Sequence, residues 1–240
     1  MTLHSICATF VGVISQRITK VRAKIVEVCQ KIGRNPDEII LIGVTKYATA
    51  AHIKEAIDAG LTDVGENRVQ DAKEKFSQLG ESLKSVRKHL IGHLQSNKAK
   101  LAVELFDLIQ SVDSAKLMQE IDKEAGKKNK VMDILIQVNT AHDENKFGID
   151  PESVNEIINA VPSMKNIRVR GLMTIAAMTE DADAVRKSFK DLKTLFDRIK
   201  AEKSSDKFQM DYLSMGMSGD FPIAIEEGAN LVRVGSAIFQ

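Results

Sequence analysis

The N-terminal segment carries apolar residues at alternating steps of three and four, with charged residues between them. The apolar positions are Val11, Ile14, Ile18, Val21, Ile25, Val28 and Ile32. This spacing predicts one long amphipathic helix over residues 10–34. Gly33 and Pro36 follow, and a glycine with a proline shortly after it is a typical helix end.

Beyond this helix, short apolar or β-branched runs alternate with helical patterns. Eight runs have the composition of buried strands: EIILIGVT (38–45), TDVGE (62–66), HLIG (89–92), FDLIQSV (106–112), VMDILIQVN (131–139), IRVRGLMTI (167–175), MDYLSMG (210–216) and LVRVG (231–235). A helix-like segment follows each of the first seven. This alternation, in a chain of 240 residues, favours a closed (β/α)8 TIM barrel over an open sheet. We expect residues 1–240 to form a single domain, in which the N-terminal helix fills the gap left after the last strand.

Composition and charge argue against several classes of partner. The chain has 34 basic and 33 acidic residues, so no overall field attracts nucleic acid or an anionic membrane. No uncharged stretch reaches the roughly 18 residues that cross a bilayer, and the start lacks the basic region of a signal peptide. Cys7 and Cys29 have neither CxxC nor metal-ligand spacing, which is typical of reduced thiols. We therefore expect a cytoplasmic protein and, since no large apolar interface is evident, a monomer.

Polar residues at the carboxyl ends of the strands are the candidate site residues, because active sites of such barrels lie at that end. The candidates are Lys46, Glu66, Asn67, His93, Asn139, Ser214, Met215, Gly216, Gly235 and Ser236, together with Arg233 within the last strand. Alternation along that strand places Arg233 on the same face as Gly235.

Two segments rich in glycine and serine form the strongest pattern. GMSGD (216–220) follows the seventh strand, and RVGSA (233–237) ends the eighth. Glycines let backbone N–H groups approach a ligand, Ser218 and Ser236 add hydroxyls, and a following helix start adds positive charge. Barrels often hold a phosphate at this position. Ordinary turn chemistry is the alternative explanation.

Lys46 is expected beside this phosphate site, because the first and eighth strands are neighbours in a closed barrel. A lysine whose pKa is lowered there forms a Schiff base with an aldehyde. The alternative is a lysine that merely extends into solvent. A phosphate site beside an imine-forming lysine is what pyridoxal 5'-phosphate requires, and Arg233 would suit its ring nitrogen.

The sequence contains no motif that indicates a metal, nucleotide or serine-hydrolase site. The histidines have no metal-ligand spacing, so no metal site is expected, and Walker A, GxGxxG and GxSxG sequences are absent. Of the methionines, Met173 and Met215 are the two we expect to contact a ligand.

Seven segments, taken in order, resemble the family of pyridoxal phosphate homeostasis proteins, which is related to the barrel domain of bacterial alanine racemase. They are LIGVTKY, GENRVQ, HLIGHLQSNK, IQVNTAHDENKFGI, RGLMTI, LSMGMSGD and LVRVGSAIF. The resemblance implies a barrel that carries pyridoxal 5'-phosphate as an internal aldimine on Lys46. It further implies that the phosphate is held by Ser218, Gly235 and Ser236, that Arg233 faces the pyridine nitrogen, and that Asn67, Lys146 and His93 lie around the pocket.

The sequence departs from the family pattern at three places. Thr45 stands where the family usually has serine, which keeps the hydroxyl. Many members have a second lysine shortly after the first, whereas Tyr47, Ala48 and Thr49 follow here, so Lys46 is expected to be the main anchor. Gln240 replaces the typical glycine after the AIF motif, at the position that covers the eighth strand in the family.

The resemblance implies a protein that buffers pyridoxal 5'-phosphate or delivers it to apo-enzymes. Two-domain racemases supply a second base, a tyrosine, from a β-rich domain, and we expect no such domain here. Arg233 would also disfavour a protonated ring nitrogen and so weaken the electron sink, although racemases tolerate the same arginine. The alternatives are a weak racemase dependent on pyridoxal phosphate and a Schiff-base aldolase that acts on a sugar phosphate without cofactor.

Overall fold

The structure is a computed structural model that describes residues 12–143, 146–177, 179–203 and 205–240. Its eight parallel strands form a closed barrel in chain order, and the first strand bonds to both the second and the last. The strands are β1 (Ile40–Val44), β2 (Asp63–Glu66), β3 (Arg87–Leu90), β4 (Leu108–Val112), β5 (Met132–Gln137), β6 (Ile167–Met173), β7 (Phe208–Ser214) and β8 (Leu231–Val234). The predicted (β/α)8 barrel is confirmed.

Helices surround the barrel. They are α1 (Val13–Lys31), α2 (Ala50–Asp58), α3 (Val69–Leu79), α4 (Ala99–Leu105), α5 (Ala115–Gly126), α6 (Val154–Ala160), α7 (Ala182–Glu202), α8 (Phe221–Glu226) and α9 (Ser236–Phe239). Short 3-10 helices occur at Pro36–Glu38, Gly80–Leu83, Ser96–Lys98, Pro151–Ser153 and Val161–Ser163. None of the helices in the ranges given above is long and apolar enough to cross a membrane.

Helix α1 buries the apolar face that its sequence predicts. Its buried residues are Ile14, Ile18, Val21, Ile25, Val28 and Cys29. Ile32 was counted on this face but is 42% exposed, because the helix already ends at Lys31. Gly33 follows with φ at +68°, the left-handed conformation that favours glycine at a helix end. Val11 and Cys7, also part of the sequence analysis, lie outside the described residues.

The gap beside the last strand is filled differently from the expectation. A short helix, α9, does follow β8, and α1 packs against it as well as against α8 and α2. Arg17 of α1 donates hydrogen bonds to the carbonyl oxygens of Ile238 (3.3 Å) and Gln240 (3.0 Å). The N-terminal helix therefore closes the barrel together with α9.

Two strands begin earlier along the chain than predicted. Strand β3 runs from Arg87 to Leu90 instead of over 89–92, and β7 begins at Phe208 instead of residue 210. The predicted strand did not include the charged residues Arg87 and Lys88, with which β3 begins. In the fold its charges are paired: Arg87 lies 3.7 Å from Asp133 and Lys88 lies 2.9 Å from Asp107.

The interior of the barrel is part apolar and part polar. A small apolar cluster contains Ile42, Leu108, Leu135, Met173 and Leu231 and is separate from the large core between strands and helices. Met173, which was expected to contact a ligand, is therefore packed in this interior cluster. Polar side chains share this interior, and His89 is fully buried among them. Burial lowers the pKa of His89 more than its hydrogen bond to Asp63 raises it, so the folded protein keeps this imidazole neutral.

We expect the protein to lose stability as the pH falls below the ordinary histidine pKa of about 6.5. The unfolded chain takes up a proton at His89 in that range, whereas the folded chain does not, so protonation favours unfolding. The midpoint temperature of thermal unfolding should be lower at about pH 5 than at about pH 7. This decrease should be smaller in His89→Gln, which has no titrating ring. Equal decreases in both proteins would contradict a buried neutral His89.

Candidate functional site

A cavity of about 370 Å³ lies at the carboxyl ends of β1, β2 and β8 and the loop after β7. Its volume is within the range of about 300–1,000 Å³ that is usual for small-molecule sites. Six of the residues predicted from the sequence line it together: Lys46, Asn67, Ser218, Arg233, Gly235 and Ser236. A second cavity, of about 430 Å³, lies at the opposite end between α1 and β1, away from the end where such barrels bind ligands.

A buried ion pair between Glu66 and Lys75 fixes the loop that carries Lys46. Glu66, fully buried at the end of β2, lies 2.8 Å from the Nζ atom of Lys75 and accepts a hydrogen bond of 2.7 Å from the Thr45 hydroxyl. Lys75 also donates to the carbonyl oxygens of Thr45 (2.7 Å) and Lys46 (3.3 Å). Hydrogen bonds from Lys75 and to Glu66 therefore fix the backbone at Thr45 and Lys46.

The side chain of Lys46 itself is exposed at the cavity. Its Nζ atom lies 5.1 Å from the centre of the Tyr47 ring, in a cation–π contact. No ion pair holds it among the residues that the structure describes. A primary amine without a carboxylate partner is available to react with a bound aldehyde.

Arg233 forms the inner wall of the cavity and is only 3% exposed. It donates from Nη1 to the Ser214 hydroxyl (2.6 Å) and from Nη2 to the Thr174 carbonyl (2.7 Å). Burial lowers the pKa of Arg233 to about 10, which still leaves it charged at neutral pH. Two of its five N–H hydrogens are committed to these bonds, so the guanidinium retains donors for a ligand.

Ser218 connects the two glycine-containing segments. Its hydroxyl oxygen accepts from the backbone N–H groups of Gly235 (3.2 Å) and Ala237 (3.3 Å). The loop that carries it turns at Gly216, whose φ of +90° favours glycine and where an added Cβ atom would lie 2.9 Å from the Cα atom of Phe221. These two bonds use the oxygen of Ser218 and not its hydrogen, so the hydroxyl can donate to an anion beside the neighbouring strand end.

Asn67 forms another part of the wall and has an unsatisfied acceptor. Its Oδ1 atom is buried and has no hydrogen-bond partner in the described part of the chain. The backbone of Gly92 lies against the backbone of Asn67. A side chain at position 92 would prevent this approach, because an added Cβ atom would lie 2.3 Å from the Asn67 carbonyl oxygen. A buried acceptor without a partner is a position where a ligand or a water donates a hydrogen bond.

Three of the residues assigned to the cofactor pocket lie outside the lining of this cavity, as do the strand-end candidates Glu66, Asn139, Ser214 and Gly216. His93 borders an adjacent cavity that shares Asn67, stacks on Phe147 with ring centres 3.8 Å apart, and bonds to Asp113 (3.1 Å). Lys146 donates to the Ala176 carbonyl oxygen (2.5 Å). Met215, which was expected to contact a ligand, is fully buried in the large core.

The sequence analysis missed several residues of the site. Met217 lines the cavity, whereas Met215 does not. Tyr47, Phe239 and Gln240 also contribute to the lining. Position relative to the strand ends could have indicated Tyr47 and Met217, since each comes three residues after the last residue of a strand. Lys75 lies in a helix, and no pattern along the chain connects it with Thr45.

No group of three side chains suited to a metal ion occurs in the described ranges.

A family model described as "Alanine racemase, N-terminal domain" matches residues 21–240 of the chain. Alanine racemase from Clostridium difficile 630 has a similar structure, with a TM-score of 0.74 at 16% identity over 94% of this chain and 56% of the racemase chain. At that identity the likeness concerns the fold. The chain therefore has the fold, and belongs to the family, of alanine racemase N-terminal barrels.

More similar proteins define the family further. The relative in Aquifex aeolicus (strain VF5) is 38% identical over 224 residues, which cover 93% of this chain and 96% of that protein. The relative in Escherichia coli (strain K12) is 35% identical over 236 residues, covering 94% and 95%. Each is named "Pyridoxal phosphate homeostasis protein". The structure of PipY from Synechococcus elongatus PCC7942, with PLP bound, is 34% identical with a TM-score of 0.82 and covers 95% of this chain and 100% of that one.

The chain belongs to the pyridoxal phosphate homeostasis protein family, as these relatives show over nearly their whole length.

Proposed function

We propose that this protein binds pyridoxal 5'-phosphate covalently through Lys46 and acts in the homeostasis of that cofactor inside the cell. The observation that carries the proposal is the convergence of three kinds of group on one cavity. Lys46 offers an unpaired amine, Arg233 offers buried donors, and Ser218 lies with the backbone of Gly235 where an anion fits. The homeostasis role of the relatives and the PLP bound to PipY support this assignment.

The residues present fit the chemistry of the cofactor. Pyridoxal 5'-phosphate supplies an aldehyde that a lysine captures, a ring nitrogen that accepts hydrogen bonds, and a phosphate. We assign Lys46 to the aldehyde, Arg233 to the ring nitrogen, and Ser218, Gly235 and Ser236 to the phosphate. The unsatisfied Oδ1 atom of Asn67 supports a ligand that completes this wall with a donor.

We assign His93 and Lys146 to the outer edge of the same mouth, and Met215 to the core beneath it. His93 belongs to the cavity that adjoins the main one across Asn67. The bond from Lys146 to the Ala176 carbonyl holds its amine at the rim. These three residues would affect access to the cofactor or the shape of its pocket more than its direct binding.

We further propose that the protein holds and transfers the cofactor and does not use it to turn over a substrate. The described lining contains no histidine or carboxylate side chain, and the hydroxyl of Tyr47 is its acid–base group beside Lys46. A racemase needs two opposed groups that exchange protons with the substrate. Apo-enzymes that require pyridoxal 5'-phosphate are the recipients we propose, and the protein would meet them as a cytoplasmic monomer.

Incubation with a panel of L-amino acids and chiral analysis tests this assignment. We expect turnover no faster than with free pyridoxal 5'-phosphate. Racemisation far above that level would establish the alternative, a weak racemase. Borohydride trapping with a sugar phosphate, with and without pyridoxal 5'-phosphate and read by mass, tests the cofactor-free aldolase, which should cleave the sugar phosphate as well as form the adduct without cofactor.

We expect Ser218→Ala to weaken binding of the phosphate group specifically. The substitution removes a hydroxyl that would bond to a charged oxygen, and such bonds contribute about 1.5–3 kcal/mol. Pyridoxine 5'-phosphate cannot bond covalently to lysine, so it measures non-covalent binding alone. Its dissociation constant should rise about tenfold, whereas that of unphosphorylated pyridoxine should not change. Equal effects on both ligands would place the phosphate elsewhere.

A further inference from the structure

Buried polar side chains form a continuous row from the wall of the cavity to the opposite end of the barrel. Arg233 bonds to Ser214 (2.6 Å), Ser214 to Gln110 (2.6 Å), Gln110 to His89 (2.9 Å), and His89 to Asp63 (2.9 Å). These five residues come from β8, β7, β4, β3 and β2, and none is more than 7% exposed. The row therefore crosses the barrel interior and joins a buried cation to a buried carboxylate.

The chemistry of the two ends determines the direction of each hydrogen bond. The Asp63 carboxylate only accepts, so the Nε2 atom of His89 donates to it. Burial keeps His89 neutral, so its Nδ1 atom accepts from the Gln110 amide nitrogen. The Gln110 oxygen then accepts from the Ser214 hydroxyl, whose own oxygen accepts from Arg233. A single set of directions satisfies every member, and each group donates toward Asp63.

We propose that Gln110, His89 and Asp63 are positioning residues for the cofactor site, which fix the Ser214 hydroxyl and, through it, the Arg233 guanidinium. This inference rests on the proposed function. With its hydrogen committed to Gln110, Ser214 presents only its oxygen to Arg233, and the guanidinium hydrogens that are not bonded to Ser214 or Thr174 remain for a ligand in the cavity that Arg233 lines. That part of the wall then offers donors and no acceptor, and it selects a ligand atom that accepts, such as an unprotonated ring nitrogen.

A purely structural role would not require this row. Burying several polar groups is costly unless all of them are bonded, and apolar side chains of similar volume fill such space at least as well. The small apolar cluster around Leu108 and Leu135 does so within the same interior. The row ends at Arg233, the cationic side chain that forms the inner wall of the cavity. This position indicates that the fixed hydrogen-bond directions of the row serve to orient Arg233.

The test compares Gln110→Leu with the control Leu108→Ala, two residues earlier on β4. The first substitution interrupts the row at nearly constant volume, and the second removes core packing but leaves the row intact. We expect Gln110→Leu to bind pyridoxine 5'-phosphate about tenfold more weakly, because the loss of one buried partner has an effect of this order. The absorbance maximum of bound pyridoxal 5'-phosphate should shift in Gln110→Leu and remain at the wild-type position in Leu108→Ala.

A measurement on the wild-type protein covers the case in which Gln110→Leu does not fold. The ¹⁵N NMR signals of the His89 ring should show a neutral imidazole with its proton on Nε2. A proton on Nδ1, or a charged ring at neutral pH, would reverse the row and overturn the proposal. So would unchanged affinity and absorbance in Gln110→Leu, while the proposed function would stand because wild type still binds the cofactor. A wild-type protein that binds neither compound would overturn the proposed function and this inference with it.

Discussion

Lys46→Ala protein purified from cofactor-replete cells is expected to be colourless, whereas the wild-type protein absorbs near the edge of the visible range. The substitution removes the one amine that lines the described cavity, so the aldehyde has no partner there. The loss should be complete, because no other side chain of this lining can replace a covalent bond. The absorbance spectrum of the two purified proteins is the measurement.

Lys46→Arg is the matched variant, since it retains the positive charge beside Tyr47 but cannot form an imine. It should be as colourless as Lys46→Ala. It should also retain more of the non-covalent affinity for pyridoxine 5'-phosphate, because a positive charge remains in the cavity that binds the anionic ligand. A chromophore that persists in both variants would contradict the account, because the absorbance would then not depend on an imine with Lys46.

Lys75→Met is expected to lower the free energy of unfolding by about 3 kcal/mol, as is usual when one partner of a buried ion pair is removed. The Lys75 side chain is 17% exposed and that of Glu66 is fully buried. One carboxylate oxygen of Glu66 already has no partner among the described residues, so the Thr45 hydroxyl would be the remaining partner of the buried charge. Urea denaturation measures the change.

Two further variants isolate the cause. Lys73→Met on the same helix removes an exposed lysine and should change stability by less than about 0.5 kcal/mol. In Lys75→Met with Glu66→Gln, the buried charge is gone and much of the lost stability should return. If Lys75→Met unfolded like wild type, the ion pair would not hold the Lys46 loop as described.

Local patterns in the sequence were sufficient for the fold. The strands of a parallel barrel are buried on both faces, so each appears in the sequence as a short apolar run. The segments between these runs show the apolar spacing of helices. The ends of a strand were harder to predict where the strand contains charged residues. Arg87 and Lys88 start β3 because Asp133 and Asp107 pair with them, and no local pattern contains those partners.

The candidate site was predicted as far as it depends on the strand ends. Lys46, Asn67, Ser218, Arg233, Gly235 and Ser236 line one cavity because each lies at or just beyond the carboxyl end of its strand, or faces that end. Their roles toward the cofactor remain predictions. Residues that act through long-range contacts escaped the sequence analysis.

Gln110 illustrates this limit. It lies within β4 among residues that read as an ordinary buried strand, and only the closed barrel brings it between His89 and Ser214. Met215 and Met217 illustrate a second limit, the direction of a side chain after a strand ends. The turn at Gly216 places Met217 at the cavity and leaves Met215 in the core.

The most direct test of the central claim is to reduce the purified wild-type protein with borohydride and to locate the modification by peptide mass mapping. Borohydride converts a lysine–aldehyde imine into a stable amine, so the modified peptide identifies the lysine that holds the cofactor. We predict one phosphopyridoxyl group, on the peptide that contains Lys46. A protein from cofactor-replete cells that carries no such group, or carries it on another lysine such as Lys146, would contradict the account.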